Sequence, residues 1–192
     1  MLSRRGRWRG GRYHRGVSPE GKVPTLAIVV SRYNAGVTGR MLRGAVEAYE
    51  GAGGRADELT IVEAPGAFEL PALALAAARS GRYAGVLAIG CIIRGETNHD
   101  EVIAHAVAGG LTGVTLQTGV PVCFGVLTVG SVEQAMARAG GEWGESPNKG
   151  REAMQALLET VRASWALGEP HEPGLRVALR ASTPDKSSRG AN

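Results

Sequence analysis

Apolar residues in this chain gather into four short continuous runs, separated by longer stretches that repeat at helical spacing. The runs are TLAIVVS (25–31), LTIVEA (59–64), YAGVLAIGCII (83–93) and VPVCFGVLTV (120–129). Runs of this length without alternation predict strands covered on both faces. From Val37, the residues Met41, Leu42, Ala45, Val46 and Tyr49 predict a helix, which GAGG (51–54) stops. AFELPALALAAARSG (67–81) reads as a second helix, with Pro71 tolerated in its first turn. A third starts near Asn98, with Val102, Ile103, Ala106, Val107 and Leu111 on one face. Ser131 is the predicted N-cap of SVEQAMARAG (131–140). NKGREAMQALLETVRASWAL (148–167) forms the last long helix.

Strand–helix alternation with buried strands predicts an α/β domain, a three-layer αβα sandwich around a four-stranded parallel sheet of the flavodoxin-like kind. In such sheets ligands sit beyond the carboxyl ends of the strands. Four strand ends are therefore candidates: SRYN, EAPGAFE, CIIRGETNH and FGVLT.

Charge divides the chain into a body and two arms. The net charge is +4, yet residues 1–22 hold seven Arg/Lys and one Glu. The remainder carries 15 basic and 17 acidic residues, so the basicity belongs to the arm and the folded body is slightly acidic. Residues 1–22 read as a disordered basic tail, 23–168 as the domain, and 169–192, rich in Pro, Gly and Ser, as a loosely attached C-terminal tail. The basic arm lacks the apolar core of a signal peptide, and no run approaches the roughly 18 apolar residues of a membrane span. A nucleic-acid contact is left to that arm alone. Cys91 and Cys123 sit inside apolar runs and read as buried free thiols in a reducing cytosol.

The densest chemistry follows the third strand. In IRGETNH (93–99), Gly95 permits a sharp turn and a helix begins within a few residues. Free N–H groups there make an anion corner, to which Thr97 adds a hydroxyl and His99 an imidazole. Phe68 is placed either to stack on a planar ligand or to pack in the core. Glu69 would accept hydrogen bonds from a ligand or favour its helix N-terminus. Arg138 ends a helix, where it suits the dipole or a phosphate clamp. No phosphate-loop motif, dinucleotide fingerprint or metal-ligand cluster occurs. The residues thus describe an α/β enzyme or binder of a small anionic ligand.

SRYN, PGAFELP, IGCIIRGETNH, PVCFGVLT, EQAMARAG and NKGREA occur in this order. Through them the chain resembles the lumazine synthases over about residues 25–165. The resemblance implies condensation of 5-amino-6-(D-ribitylamino)uracil with 3,4-dihydroxy-2-butanone 4-phosphate to 6,7-dimethyl-8-ribityllumazine. Phosphate and water are released in this penultimate step of riboflavin biosynthesis. It implies a cytoplasmic transferase with no cofactor or metal, and a homopentamer with sites between neighbouring subunits. Some members join twelve pentamers into an icosahedral shell, and riboflavin synthase is a candidate partner. The residues implied are Tyr33 for stacking on the pyrimidine; Ala67, Phe68 and Glu69 for the ribityl chain; and Cys91, Ile92 and Ile93 for the pyrimidine edge. Gly95, Glu96 and Thr97 would form the phosphate corner, and His99 the proton shuttle. Phe124, Arg138, Lys149 and Glu152 would come from the adjacent subunit, with Arg138 on the phosphate.

The chain departs from the family pattern in three places. Tyr33 stands where Phe is usual, Asp100 where an aromatic is common, and the 141–147 segment is longer than in the shortest members. That segment and the two arms favour a pentamer over the shell. Two other readings compete: a scaffold that binds lumazine or flavin without turnover, and a nucleic-acid-associated protein using residues 1–16.

Overall fold

A computed structural model describes residues 23–141 and 147–168. The expectations for the two tails, and the middle of the long 141–147 segment, fall outside the described residues.

The four apolar runs form β1 (Leu26–Ser31), β2 (Thr60–Ala64), β3 (Gly85–Ile93) and β4 (Val122–Val129). They make one parallel sheet in the order β2-β1-β3-β4. The helices between them are α1 (Ala35–Gly51), α2 (Leu70–Arg79), α3 (His99–Thr118), α4 (Val132–Arg138) and α5 (Lys149–Gly168). Strand alternation divides the interior into two layers. Leu26, Ile28 and Val30 of β1 face one way with Leu87 and Ile89 of β3, meeting Met41, Tyr49, Met154 and Leu157 from α1 and α5. Ala27, Val29, Val86 and Ala88 face the other way, against Leu70, Ala74, Val107 and Leu111 from α2 and α3. The predicted αβα sandwich is thus present, with α1 and α5 on one face of the sheet and α2 and α3 on the other.

Three expectations need correction. The outer strand β2 is not covered on both faces: Ile61 is 44% and Val62 37% exposed. β2 pairs with β1 alone, so as an edge strand it lacks a neighbour and a full helical lid. On α3 the buried face is Val107, Leu111 and Val114, whereas Val102 is 64% and Leu116 80% exposed. This helix is apolar on more than one side, and the rest of the chain covers only one of them. Cys123 is half-buried rather than buried, because β4 is the other edge.

Helices α1 and α5 approach closely at the start of α5. A Cβ built on Gly150 would lie 2.0 Å from the Met41 carbonyl oxygen of α1. Backbone cannot give way as a side chain does. Gly150→Ala is therefore expected to destabilise the fold by about 3 kcal/mol, the upper end for overpacking, read as a lower melting temperature. An unchanged melting temperature would show that the two helices can part freely.

Candidate active site

The first group of predicted residues lies at the carboxyl ends of β1, β2 and β3. After β1 the chain turns through Tyr33, which is 71% exposed. Asn34 holds that turn in the left-handed region at φ 60°, a conformation Asn tolerates better than most residues. Its side-chain N–H donates to the Cys91 carbonyl at 2.9 Å. The Arg32 N–H donates to the Ala64 carbonyl at 2.8 Å, and the Thr38 hydroxyl to the Ser31 carbonyl at 2.8 Å. These bonds tie the ends of β1, β2 and β3 into one floor. After β2, Ala67 is buried, while Phe68 and Glu69 are exposed. Phe68 at 60% exposure is not packed in the core, which removes the reading that competed with stacking.

Cys91 and Ile92 are buried at the end of β3, and Ile93 is half-buried. Burial pushes the Cys91 thiol up to about 11, so it remains a neutral thiol and no nucleophile at neutral pH. Gly95, Glu96, Thr97 and His99 follow, all exposed. His99 is the first residue of α3, and no side-chain cap from Asn98 fills that helix end. The corner is nevertheless acidic: Arg94 stands there with Glu96, Asp100 and Glu101. Asp100 and Glu101 occupy the first turn of α3 and already answer the helix dipole. A phosphate dianion bound here needs positive charge from elsewhere.

The second group lies on the β4 side. Phe124, Thr128, Arg138, Lys149 and Glu152 line a cavity of ≈ 430 Å³ between β4, α4 and α5. Ser131 caps α4 as predicted, its hydroxyl accepting from the Gln134 N–H at 3.3 Å, while the Gln134 side-chain oxygen accepts from the Gly130 N–H at 3.0 Å. This reciprocal pairing firms a short helix that ends at Arg138. The Arg138 guanidinium is exposed and donates to its own helix at the Gln134 carbonyl, 3.1 Å away. The Lys149 ammonium pairs with Glu152 at 2.6 Å. Of the predicted site residues, this cavity gathers Phe124, Arg138, Lys149 and Glu152, and its lining includes none of the first group.

The sequence profile of the 6,7-dimethyl-8-ribityllumazine synthases matches residues 24–164. This chain belongs to the lumazine synthase family. It is 48% identical over 139 residues to 6,7-dimethyl-8-ribityllumazine synthase 1 of Caulobacter vibrioides, covering 72% of this chain and 89% of that protein. The synthase of Nitratidesulfovibrio vulgaris is 46% identical over 137 residues, 71% of this chain and 86% of its own length. That of Xanthomonas oryzae pv. oryzae is 47% identical over 136 residues, with 71% and 86% covered. The family match over residues 24–164 thus takes in all six of the short motifs that carry the resemblance.

Three residues went unassigned at the sequence level. Asn34 stood inside the SRYN motif, but its reach to Cys91 depends on the sheet order. Thr128 lies in FGVLT and lines the cavity beside Phe124. Asn148 precedes Lys149 and carries a hydrogen-bond network described below. Among the described residues no helix is long and apolar enough to cross a membrane.

Proposed function

We propose that the cationic cavity of one protomer completes the strand-end site of its neighbour, and that the joined site carries out the family reaction. The chain condenses 5-amino-6-(D-ribitylamino)uracil with 3,4-dihydroxy-2-butanone 4-phosphate to 6,7-dimethyl-8-ribityllumazine, in riboflavin biosynthesis. The observation that carries the shared site is the separation of the two groups. The corner at Gly95–His99 sets one cation, Arg94, against Glu96, Asp100 and Glu101, and Arg138 and Lys149 line a cavity whose residues include none of these.

In the joined site Tyr33 stacks on the pyrimidine, and the backbone at Cys91, Ile92 and Ile93 reads its edge. Ala67, Phe68 and Glu69 hold the ribityl chain, with Phe124, Lys149 and Glu152 of the neighbour closing the pocket. The amine adds to the ketone, and water leaves as the imine forms. Phosphate then departs, and its growing charge is met by Arg138, the N–H groups around Gly95, Glu96 and Thr97, and the α3 N-terminus. Ring closure expels a second water. His99, beside that corner, takes and returns protons at each step. Amine–ketone condensation is intrinsically easy, so positioning supplies much of the acceleration.

The assembly proposed is a homopentamer in the cytoplasm, with riboflavin synthase as the consumer of its product. The exposed Ile61, Val62, Val102 and Leu116 support burial against other copies. Light scattering should give about five times the 20.0 kDa chain. A monomer would remove the shared site, and a particle of about sixty chains would restore the shell that the long 141–147 segment disfavours.

A further inference from the structure

We infer that Asn148 is a positioning residue, its single amide fixing Arg138 and Lys149 relative to each other so that the pair can grip a phosphate. The whole 139–148 segment separates these two cations in the chain, yet they line one cavity. The Asn148 side-chain N–H₂ donates to the Ala139 carbonyl at 2.9 Å and to the Arg40 carbonyl at 3.0 Å. Its oxygen accepts from the Gly150 N–H at 2.9 Å and the Arg151 N–H at 3.1 Å. Every hydrogen-bonding position of the amide is used. The donor half holds the residue after Arg138, and the acceptor half caps the helix that begins at Lys149. The Arg40 carbonyl anchors both to α1. Ala139 and Asn148 also form an antiparallel bridge, so the segment leaves and returns at the same point.

The seat for this amide is built by Gly44 on α1. A Cβ there would lie 2.4 Å from Asn148 Cγ and 2.6 Å from Nδ2. The clasp therefore keeps Arg138 and Lys149 together whatever the length of chain between them. Glu152, one turn into the capped helix and paired with Lys149, moves with them.

This inference rests on the reading of Arg138 as the phosphate partner, and the experiment separates the two. Asn148→Ser keeps a good helix cap but has no donor to reach either carbonyl. In the assembled full-length enzyme it should raise the KM for the sugar phosphate, and the inhibition constant for inorganic phosphate, about tenfold. The KM for the ribitylaminouracil should stay within about twofold, and kcat should fall by less than in Arg138→Ala. Gly44→Ala favours helix at α1 while its Cβ displaces the amide, and it should give the same split from the opposite side. The two changes combined should not add, since both act on one contact.

If Arg138→Ala weakens phosphate binding while both clasp variants leave it unchanged, the inference is overturned and the site reading stands. If Arg138→Ala itself leaves phosphate binding unchanged, the site reading fails first. A uniform fall in kcat with both KM values raised, or two variants that both fail to assemble, would make Asn148 a folding residue and overturn the positioning role.

Discussion

Arg138→Ala is expected to lower kcat/KM for the sugar phosphate by about 10²–10³-fold, the range for removing one donor aimed at developing charge. The guanidinium is exposed and its hydrogen bond is to its own helix backbone, at the Gln134 carbonyl. Truncation therefore leaves no buried group unpaired and should cost little stability. What it removes is the counter-charge that the strand-end corner, with Glu96, Asp100 and Glu101 against Arg94, cannot provide. The loss should divide between the KM for the sugar phosphate and kcat, because the same contact holds the phosphate before and during its departure. Arg138→Lys retains the charge without the planar fork and should fall between the two. Steady-state kinetics with each substrate varied in turn would check this. Full activity in Arg138→Ala would end the phosphate assignment.

His99→Ala should slow turnover by about 10–100-fold, at or below the range for a positioned acid–base group, with both KM values close to normal. The smaller effect follows from the chemistry: imine formation and phosphate loss proceed once the partners are aligned. His99 is exposed at the first residue of α3, so its replacement leaves no hole in the core. A His99→Ala enzyme with wild-type kcat would assign proton transfer to solvent alone.

Much of the architecture was legible in the sequence because its signals are local. Each apolar run became a strand with ends shifted by a residue or two, and Ser131 caps α4 as its position before VEQ implied. What escaped were properties of the sheet order and of contacts far apart in the chain. Nothing in LTIVEA says that it lies at an edge, so the exposure of Ile61 and Val62 follows only from the order β2-β1-β3-β4. Helix α3 reads as one apolar face, whereas Val102 and Leu116 lie exposed on another. Lys149 and Arg138 were found through motif resemblance, whereas Asn148 beside them was not. Its role depends on the chain returning to Ala139 and on the space left by Gly44, contacts made across 9 and 104 positions, the differences between residue 148 and residues 139 and 44.

The shared site is tested most directly by mixing two impaired enzymes. His99→Ala and Arg138→Ala damage opposite halves of the site. If the halves come from adjacent protomers, co-expression in equal amounts rebuilds an intact site wherever the correct pair meets, and random assembly around a ring gives about one quarter of wild-type activity. If each chain holds a whole site, every site in the mixture carries one defect, and activity stays at the level of the separate mutants.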